Sequence, residues 1–212
     1  FPGETMGTTY EVKIAAGTSI SLDKRKFIEI GIDSILTSIN QSMSTYIPDS
    51  EISLINKFPD RESAIAYLDD KDHITNSTPI PVRVAYDKLR GETIEILTWE
   101  ISYDLYHVID RSLDYYAKSE GAFDITVKPL MEAWGFRGTP IYTKPSEEKT
   151  REILSYIGSD KISLNSSGYD RSYYLTKKRP KVQLDLGAIA KGYAVDQISI
   201  YLENSGYKIH YV

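Results

Sequence analysis

A long amphipathic pattern near the N-terminus constrains the fold more than any other feature of the sequence. Between Lys24 and Met43, apolar residues recur three or four positions apart, at Ile28, Ile32, Ile35, Leu36, Ile39 and Met43. This spacing puts them on one face of a helix, and such a face needs a large apolar surface to pack against. The chain therefore has to build a substantial core around this helix.

The other patterns mix strands and helices without strict alternation. Alternating or short apolar runs predict strands at 9–14, 162–164, 173–176, 182–186 and 208–212, with 165–168 as a hairpin turn. Helical spacing predicts helices at 93–119 and 193–204. A helix at 146–158 is predicted by Ser146, a favourable N-cap that two glutamates follow in the first turn. Gly121 and Gly206 lie just past two of these helices, where left-handed caps are expected. The order of elements is typical of the α+β (mixed α/β) class.

No linker divides the sequence, so we expect residues 1–212 to form a single domain. The least regular stretch, 58–91, is polar and proline-containing, with one predicted strand at 82–84, and we predict a surface excursion there. The sequence stops at Val212 within an apolar run. We therefore expect a domain that is incomplete at its C-terminus and belongs to a longer protein.

Composition excludes several classes of function. The 25 Lys and Arg residues against 30 Asp and Glu residues give a net charge of −5, which is unsuited to binding nucleic-acid phosphates. The absence of cysteine excludes disulfides, thiolate zinc sites and cysteine nucleophiles. With only three histidines, a bound metal is expected to be magnesium or calcium held by oxygen. No stretch approaches the roughly 20 apolar residues that span a bilayer.

The stretch 184–193, Leu-Asp-Leu-Gly-Ala-Ile-Ala-Lys-Gly-Tyr, carries the clearest chemical signal. A predicted strand ends at Asp185, and a predicted helix begins after two glycines. The N–H groups at a helix start favour anions, and Lys191 adds a positive charge suited to a phosphate. The spacing matches neither a Walker loop nor G-x-G-x-x-G. The alternative is close strand-to-helix packing that the glycines permit.

Other stretches are individually weaker. In 121–127, Phe123 and Asp124 follow a helix cap, where a core aromatic and a capping carboxylate are the structural alternative. Tyr46 lies in a predicted loop, 44–50, where its ring could stack on another ring. His107 has the spacing of an ordinary helix residue. The basic run 177–179 predicts a solvated turn.

Four blocks in this order resemble the ApbE-type FAD:protein FMN transferases, or flavin transferases. They are Met-Gly-Thr-Thr-Tyr at 6–10; Met-Ser-Thr-Tyr at 43–46 with Pro-Asp-Ser-Glu-Ile-Ser at 48–53; Gly-Ala-Phe-Asp-Ile-Thr-Val at 121–127 with Pro-Leu at 129–130 and Trp-Gly-Phe at 134–136; and 184–196. The resemblance covers nearly the whole chain except 58–91. It implies an ApbE-like fold, represented here by its N-terminal portion.

The resemblance also implies an activity. Such an enzyme uses magnesium to cleave the pyrophosphate of FAD, attaches FMN through a phosphoester to a Thr or Ser hydroxyl of an acceptor protein, and releases AMP. Acceptors typical of the family are subunits of membrane redox complexes. Its members act outside the bacterial cytoplasm, in the periplasm or at the outer face of the membrane, often as membrane-associated lipoproteins.

Site residues follow from matching positions. The family's FAD-contacting positions correspond to Met6, Tyr46, Ala122, Phe123, Asp124, Asp185 and Lys191. Tyr46 is expected to lie against the flavin ring. The carbonyl of Ala188 matches a magnesium ligand.

The family has further elements that these residues lack. A Gly-Gly segment and a region bearing a His and the Asp and Thr ligands of the metal are expected beyond Val212, together with the catalytic residues. We therefore expect the 212 residues alone to be inactive or nearly so. Two other functions remain open, FAD hydrolysis to FMN and AMP, and flavin binding without catalysis.

Overall fold

A computed structural model describes residues 1–17, 19–69, 81–89, 92–136 and 144–212. The helices are α1 (Leu22–Met43), α2 (Glu51–Lys57), α3 (Arg61–Asp69), α4 (Tyr103–Lys118), α5 (Lys128–Ala133), α6 (Glu147–Leu154) and α7 (Ala190–Asn204). The strands are β1 (Pro2–Thr5), β2 (Thr8–Glu11), β3 (Lys13–Ile14), β4 (Pro81–Leu89), β5 (Glu92–Ile101), β6 (Ile162–Ser166), β7 (Tyr173–Lys177) and β8 (His210–Tyr211). None of the described helices is both long and apolar enough to cross a bilayer.

Helix α1 confirms the opening prediction. Ser21 caps its start by accepting a hydrogen bond from the Lys24 N–H, and the Ser44 N–H still donates to the Asn40 carbonyl at its end. The predicted apolar face is buried at Ile28, Ile32, Leu36, Ile39 and Met43. One buried cluster joins this face to α2, α4, α7, β5 and β7.

A four-stranded antiparallel sheet has the order β4-β5-β7-β6. The predicted hairpin is confirmed in β6 and β7, although its connection is 167–172 rather than 165–168. The predicted glycine caps are confirmed as well, with φ of +85° at Gly121 and +89° at Gly206.

The predicted helix at 93–119 is wrong in its first part, because Glu92–Ile101 is strand β5. Leu97, Trp99 and Ile101 are buried while Glu100 between them is exposed, which is the period of a strand. Ile94, Leu97 and Ile101 also have helical spacing, so the apolar pattern alone fits both structures. Ser102 separates the two elements by capping α4, accepting a hydrogen bond from the Leu105 N–H at 3.2 Å.

The stretch 58–91 contributes to the sheet and to the core. It contains α3, whose Ala64 is buried, and β4, which pairs with β5 and includes the strand predicted at 82–84. The ring of Tyr67 lies 5.2 Å from that of Phe58. Residues 70–80 and 90–91 lie outside the described part of the chain.

The strand predicted at 182–186 is not part of a sheet, because a side chain replaces the neighbouring strand. Asn56 of α2 accepts from the Leu184 N–H at 2.7 Å and donates to the Leu184 carbonyl at 2.8 Å. The Asp185 N–H donates to the Ile125 carbonyl at 2.8 Å. Val182, Leu184 and Leu186 are fully buried, which explains the strand-like sequence.

Two small strand pairs complete the fold. The strand predicted at 9–14 is divided into β2 and β3 around the buried Val12. The polar strand β1, which the sequence did not predict, pairs with β2. The strand predicted at 208–212 is confirmed as β8, which pairs with β3.

A buried carboxylate joins three helices next to the end of α1. Glu51 accepts hydrogen bonds from the Ser42 hydroxyl at 2.6 Å, from the Ser102 N–H at 2.6 Å and from the Ser102 hydroxyl at 2.7 Å. Burial raises the pKa of Glu51, while these hydrogen bonds oppose the rise. The network fixes α1, α2 and α4 to one another.

The basic run 177–179 is not a fully solvated turn, since Lys177 is 1% exposed. Its Nζ donates to the carbonyls of Ile55 at 3.0 Å and Phe58 at 3.4 Å, at the end of α2. Burial lowers the pKa of Lys177 to about 7. The sequence missed this because a lysine at the end of a strand normally faces solvent.

This lysine is expected to make folding stability rise with pH. Between pH 7 and 10 the unfolded chain binds more protons at Lys177 than the folded chain does, so raising the pH favours the folded state. From pH 7 to pH 9 we expect a gain of about 2 kcal/mol in the free energy of unfolding. Urea unfolding at pH 7 and pH 9 measures this difference in the free energy of unfolding. The Lys177→Met variant should not show the gain. The control Lys208→Met, at an exposed lysine, should show the same gain as the unchanged chain. A gain of that size in Lys177→Met would contradict the prediction.

Candidate functional site

All eight residues that the sequence assigned to a site line one cavity of about 550 Å³. It lies between the β1–β2 turn, the end of α1, the 121–127 loop, α5 and the start of α7. The predicted residues that line it are Met6, Tyr46, Ala122, Phe123, Asp124, Asp185, Ala188 and Lys191. A cavity of this size is typical of small-molecule sites, about 300–1,000 Å³.

Met6 enters the cavity from a strained two-residue turn. Met6 and Gly7 connect β1 to β2 with φ of +50° and +71°, as tight hairpins require. Positive φ is uncommon for a residue other than glycine, and the hairpin holds Met6 in this conformation. The Asn40 side chain fixes the turn to α1 by donating to the Thr5 hydroxyl oxygen at 2.8 Å.

Tyr46 lies at the rim of the cavity on the predicted loop. Tyr46 is 74% exposed, so its ring is accessible to a ligand. The loop begins at Ser44, whose carbonyl accepts hydrogen bonds from the hydroxyls of Ser50 at 2.6 Å and Ser53 at 3.2 Å. These bonds hold the chain reversal between α1 and α2 that presents Tyr46.

Asp124 has the structural role that the sequence analysis gave as the alternative to a binding role. It also lines the cavity. Its Oδ1 accepts three hydrogen bonds, from the Thr126 N–H at 2.8 Å, the Thr126 hydroxyl at 2.7 Å and the Ser159 hydroxyl at 2.8 Å. Phe123 is half-buried, packs against the core and faces the same cavity. Asp124 therefore shapes the loop that carries Ala122 and Phe123.

The turn between Asp185 and Gly192 has the features predicted for an anion site. Asp185 Oδ1 accepts from the Gly187 N–H at 2.8 Å, which closes the turn. Among the described residues, no group accepts a hydrogen bond from the N–H of Lys191 or of Gly192 in the first turn of α7. These N–H groups and the positive end of the helix dipole favour a negative ligand. The Lys191 side chain is exposed and forms no ion pair with any described residue.

The start of α7 is held against α4 by a buried tyrosine. Tyr193 donates a hydrogen bond to Asp104 Oδ1 at 2.5 Å. Burial and this bond raise the pKa of Tyr193 well above its usual value, so the phenol stays protonated. His107 packs against the same ring, with centroids 5.7 Å apart, as expected of an ordinary helix residue. The turn that carries Lys191 is thereby fixed.

Apolar residues form the rest of the cavity. Its buried part is lined by Ile39, Met43, Ile125 and Ala190, and its exposed rim by Tyr46 and Phe136. Polar and charged side chains, including Asp185 and Lys191, line the same cavity. Such a cavity suits a ligand with a flat apolar ring and an anionic group.

A model of the ApbE family matches residues 6–212. The chain belongs to the ApbE family. It is 34% identical over 202 residues to a FAD:protein FMN transferase of Haemophilus influenzae, covering 95% of this chain and 48% of that protein. It is 29% identical over 206 residues to the FAD:protein FMN transferase of Vibrio cholerae, covering 96% of this chain and 48% of that protein. The chain thus spans about half the length of these ApbE relatives.

The solved structure of flavin transferase ApbE from Vibrio cholerae has the same fold. It superposes with a TM-score of 0.69 at 27% identity, covering 99% of this chain and 54% of that one. The mixed helix and strand class and the ApbE-like fold expected from the sequence are therefore confirmed.

Several cavity residues were not predicted as site residues. Asn40, Met43, Met131 and Phe136 line it, and Asn56 holds Leu184, the residue before Asp185. Asn40 was detectable in principle, because it is a polar residue next to the buried face of α1. Met131 and Asn56 carried no such signal, since helix residues of these types are common in any fold.

Proposed function

We propose that this chain provides the FAD-binding part of an enzyme that transfers FMN from FAD to a Thr or Ser hydroxyl of an acceptor protein and releases AMP. The observation that carries the proposal is one cavity whose lining combines apolar and aromatic side chains with Lys191 in the first turn of α7. The apolar and aromatic side chains fit a flavin ring, and Lys191 and the α7 amides fit phosphates. The printed names of the relatives support FAD as the ligand.

The proposed reaction is a phosphoryl transfer. The acceptor hydroxyl oxygen forms a bond to the phosphorus of the FMN half, the bond from that phosphorus to the bridging oxygen breaks, and AMP leaves with the bridging oxygen. The hydroxyl proton goes to a base that we do not assign to a described residue. Such reactions depend mainly on positioning and charge neutralisation. Lys191 and the amides of α7 would supply both for the phosphates.

We also propose that the activity requires magnesium. In the described part of the chain, no three His, Cys, Asp or Glu side chains lie together as a metal site. Magnesium often keeps several waters and binds substrate phosphates, so it needs few protein ligands. Ala188, whose carbonyl we propose as a ligand, is exposed and lines the cavity. Bound there, the ion would neutralise phosphate charge.

The site of action and the acceptor are proposed from the family resemblance alone. We propose an extracytoplasmic enzyme, with a lipid anchor on the full-length protein, that modifies subunits of membrane redox complexes. Cell fractionation with an antibody to this chain tests the location. Recovery in the cytoplasmic fraction would contradict it.

A transfer assay with the full-length gene product tests the proposed activity. The protein is incubated with FAD, magnesium and a candidate acceptor, and the mixture is run on a denaturing gel. A fluorescent acceptor band together with AMP supports transfer. AMP without a band indicates FAD hydrolysis, and bound FAD without AMP indicates a flavin-binding protein.

The binding part of the proposal is tested on this chain through Lys191. Lys191→Ala should weaken FAD and FMN binding by about fivefold, or about 1 kcal/mol, because an exposed charge interacts weakly with phosphate. Riboflavin, which has no phosphate, should bind equally to both proteins. The control Lys208→Ala removes the same charge outside the cavity and should change nothing. Equal losses for riboflavin and FAD would contradict a phosphate contact at Lys191.

A further inference from the structure

All sulfur atoms of this chain lie around one cavity. The sequence contains three methionines and no cysteine. Met6, Met43 and Met131 come from the β1–β2 turn, α1 and α5, and all three line the proposed flavin cavity. The side chains that peroxide oxidises most readily and reversibly are therefore concentrated where the ligand would bind.

The three methionines differ in their exposure. Met43 is 3% exposed and belongs to the core, whereas Met6 and Met131 are half-buried at the cavity surface. The backbone of Met6 is held next to the cavity by the tight turn that Asn40 fixes to α1. We therefore expect peroxide that enters the cavity to reach Met6 and Met131 before Met43.

We propose that Met6 and Met131 are oxidation sites through which hydrogen peroxide lowers the affinity of the cavity for flavin. In each reaction the sulfur gives two electrons to the peroxide, an S–O bond forms, the O–O bond breaks and water leaves. The product, a sulfoxide, is polar and bulkier than the thioether. Methionine sulfoxide reductases restore the thioether, so the change is reversible.

The loss of affinity follows from the neighbours of these two side chains. The cavity that they line also contains the apolar side chains of Phe123, Ile125 and Phe136. The apolar face of a flavin ring that covered a sulfoxide in this cavity would remove its oxygen from water without supplying a hydrogen bond. We expect flavin affinity to fall by about tenfold, the effect of leaving one such polar group buried.

The experiment compares FAD binding before and after treatment of the 212-residue chain with hydrogen peroxide. Peptide mass spectrometry follows sulfoxide formation at each methionine, and FAD affinity is measured by fluorescence. Sulfoxide should form at Met6 and Met131 before Met43, and the affinity should fall about tenfold. Treatment with methionine sulfoxide reductase and a dithiol, which is oxidised to a disulfide, should restore the affinity. Each variant is compared with its own untreated form: Met6→Leu/Met131→Leu should lose the sensitivity, and Met43→Leu should keep it.

The inference rests on the proposed function, and the outcomes separate the two. If the untreated chain does not bind FAD, the proposed function and this inference both fail. If the untreated chain binds FAD and the chain with sulfoxide at both positions binds it equally well, only the inference fails. Oxidation of Met43 before the other two would also overturn it.

Discussion

Replacing Asn56 with alanine is expected to lower the free energy of unfolding by about 3 kcal/mol and to weaken FAD binding. The Asn56 side chain makes hydrogen bonds to both backbone groups of Leu184, at 2.7 and 2.8 Å, and both residues are buried. Alanine leaves these two backbone groups without partners and away from water. Each unsatisfied buried group costs about 1–3 kcal/mol.

The effect on binding follows because Leu184 directly precedes Asp185, which lines the cavity. Asp185 and the turn that leads into α7 continue directly from the segment that Asn56 holds. Urea unfolding measures the stability of the variant. FAD titration without urea, where the variant is fully folded, measures its affinity for FAD. The exposed Asn165→Ala in β6 is the matched control and should change the free energy of unfolding by less than about 0.5 kcal/mol. An Asn56→Ala protein as stable as this control would show that the backbone of 184 finds other partners.

Asn56 also shows where sequence patterns stop predicting the structure. The burial of Val182, Leu184 and Leu186 could be predicted from their apolar alternation. The side chain that hydrogen-bonds the backbone of Leu184, however, lies 128 residues away in the chain. A single asparagine in a helix gives no local signal of such a contact. The same limit applies to Lys177, whose burial depends on the end of α2 and not on its own neighbours in sequence.

Local signals were sufficient where one physical rule decided the outcome. The spacing of apolar residues defined α1, Ser146 defined the start of α6, and Gly121 ended α4 with a positive φ. They failed for 93–101, where strand and helix periods both fit the apolar residues until Ser102 separated the elements. An apolar pattern alone does not distinguish a helix from a strand when the same residues fit both periods.

The candidate site was predicted by two different routes. The residues themselves indicated an anion site only at 184–193, while the other positions came from the resemblance to the ApbE family. The structure brings both sets into one cavity. Its contributions from the β1–β2 turn, α1, the 121–127 loop, α5 and α7 are far apart in sequence, so no local pattern could have joined them. Met131 was missed for this reason.

Replacing Asp124 with alanine is the second change with a large expected effect. Oδ1 of Asp124 accepts bonds from Thr126 and Ser159, which are 0% and 2% exposed, and the Thr126 hydroxyl accepts in turn from the Gly158 N–H at 2.7 Å. Alanine leaves buried donors unsatisfied and should lower the free energy of unfolding by about 3 kcal/mol. It should also weaken FAD binding by about tenfold, since a site loses precision when its supporting hydrogen bonds are removed.

Asp124→Asn separates the role of the oxygen from that of the charge. Asparagine keeps an acceptor oxygen in the same place, so its stability loss should be about 1 kcal/mol, the difference between a charged and a neutral acceptor. The exposed Asp110→Ala in α4 is the control for removing a carboxylate and should leave FAD binding unchanged. If Asp124 acts only by shaping the loop, Asp124→Asn binds FAD nearly as well as the unchanged chain. If Asp124→Asn loses as much affinity as Asp124→Ala while remaining folded, the carboxylate itself contacts the ligand, and the loop-shaping account is wrong.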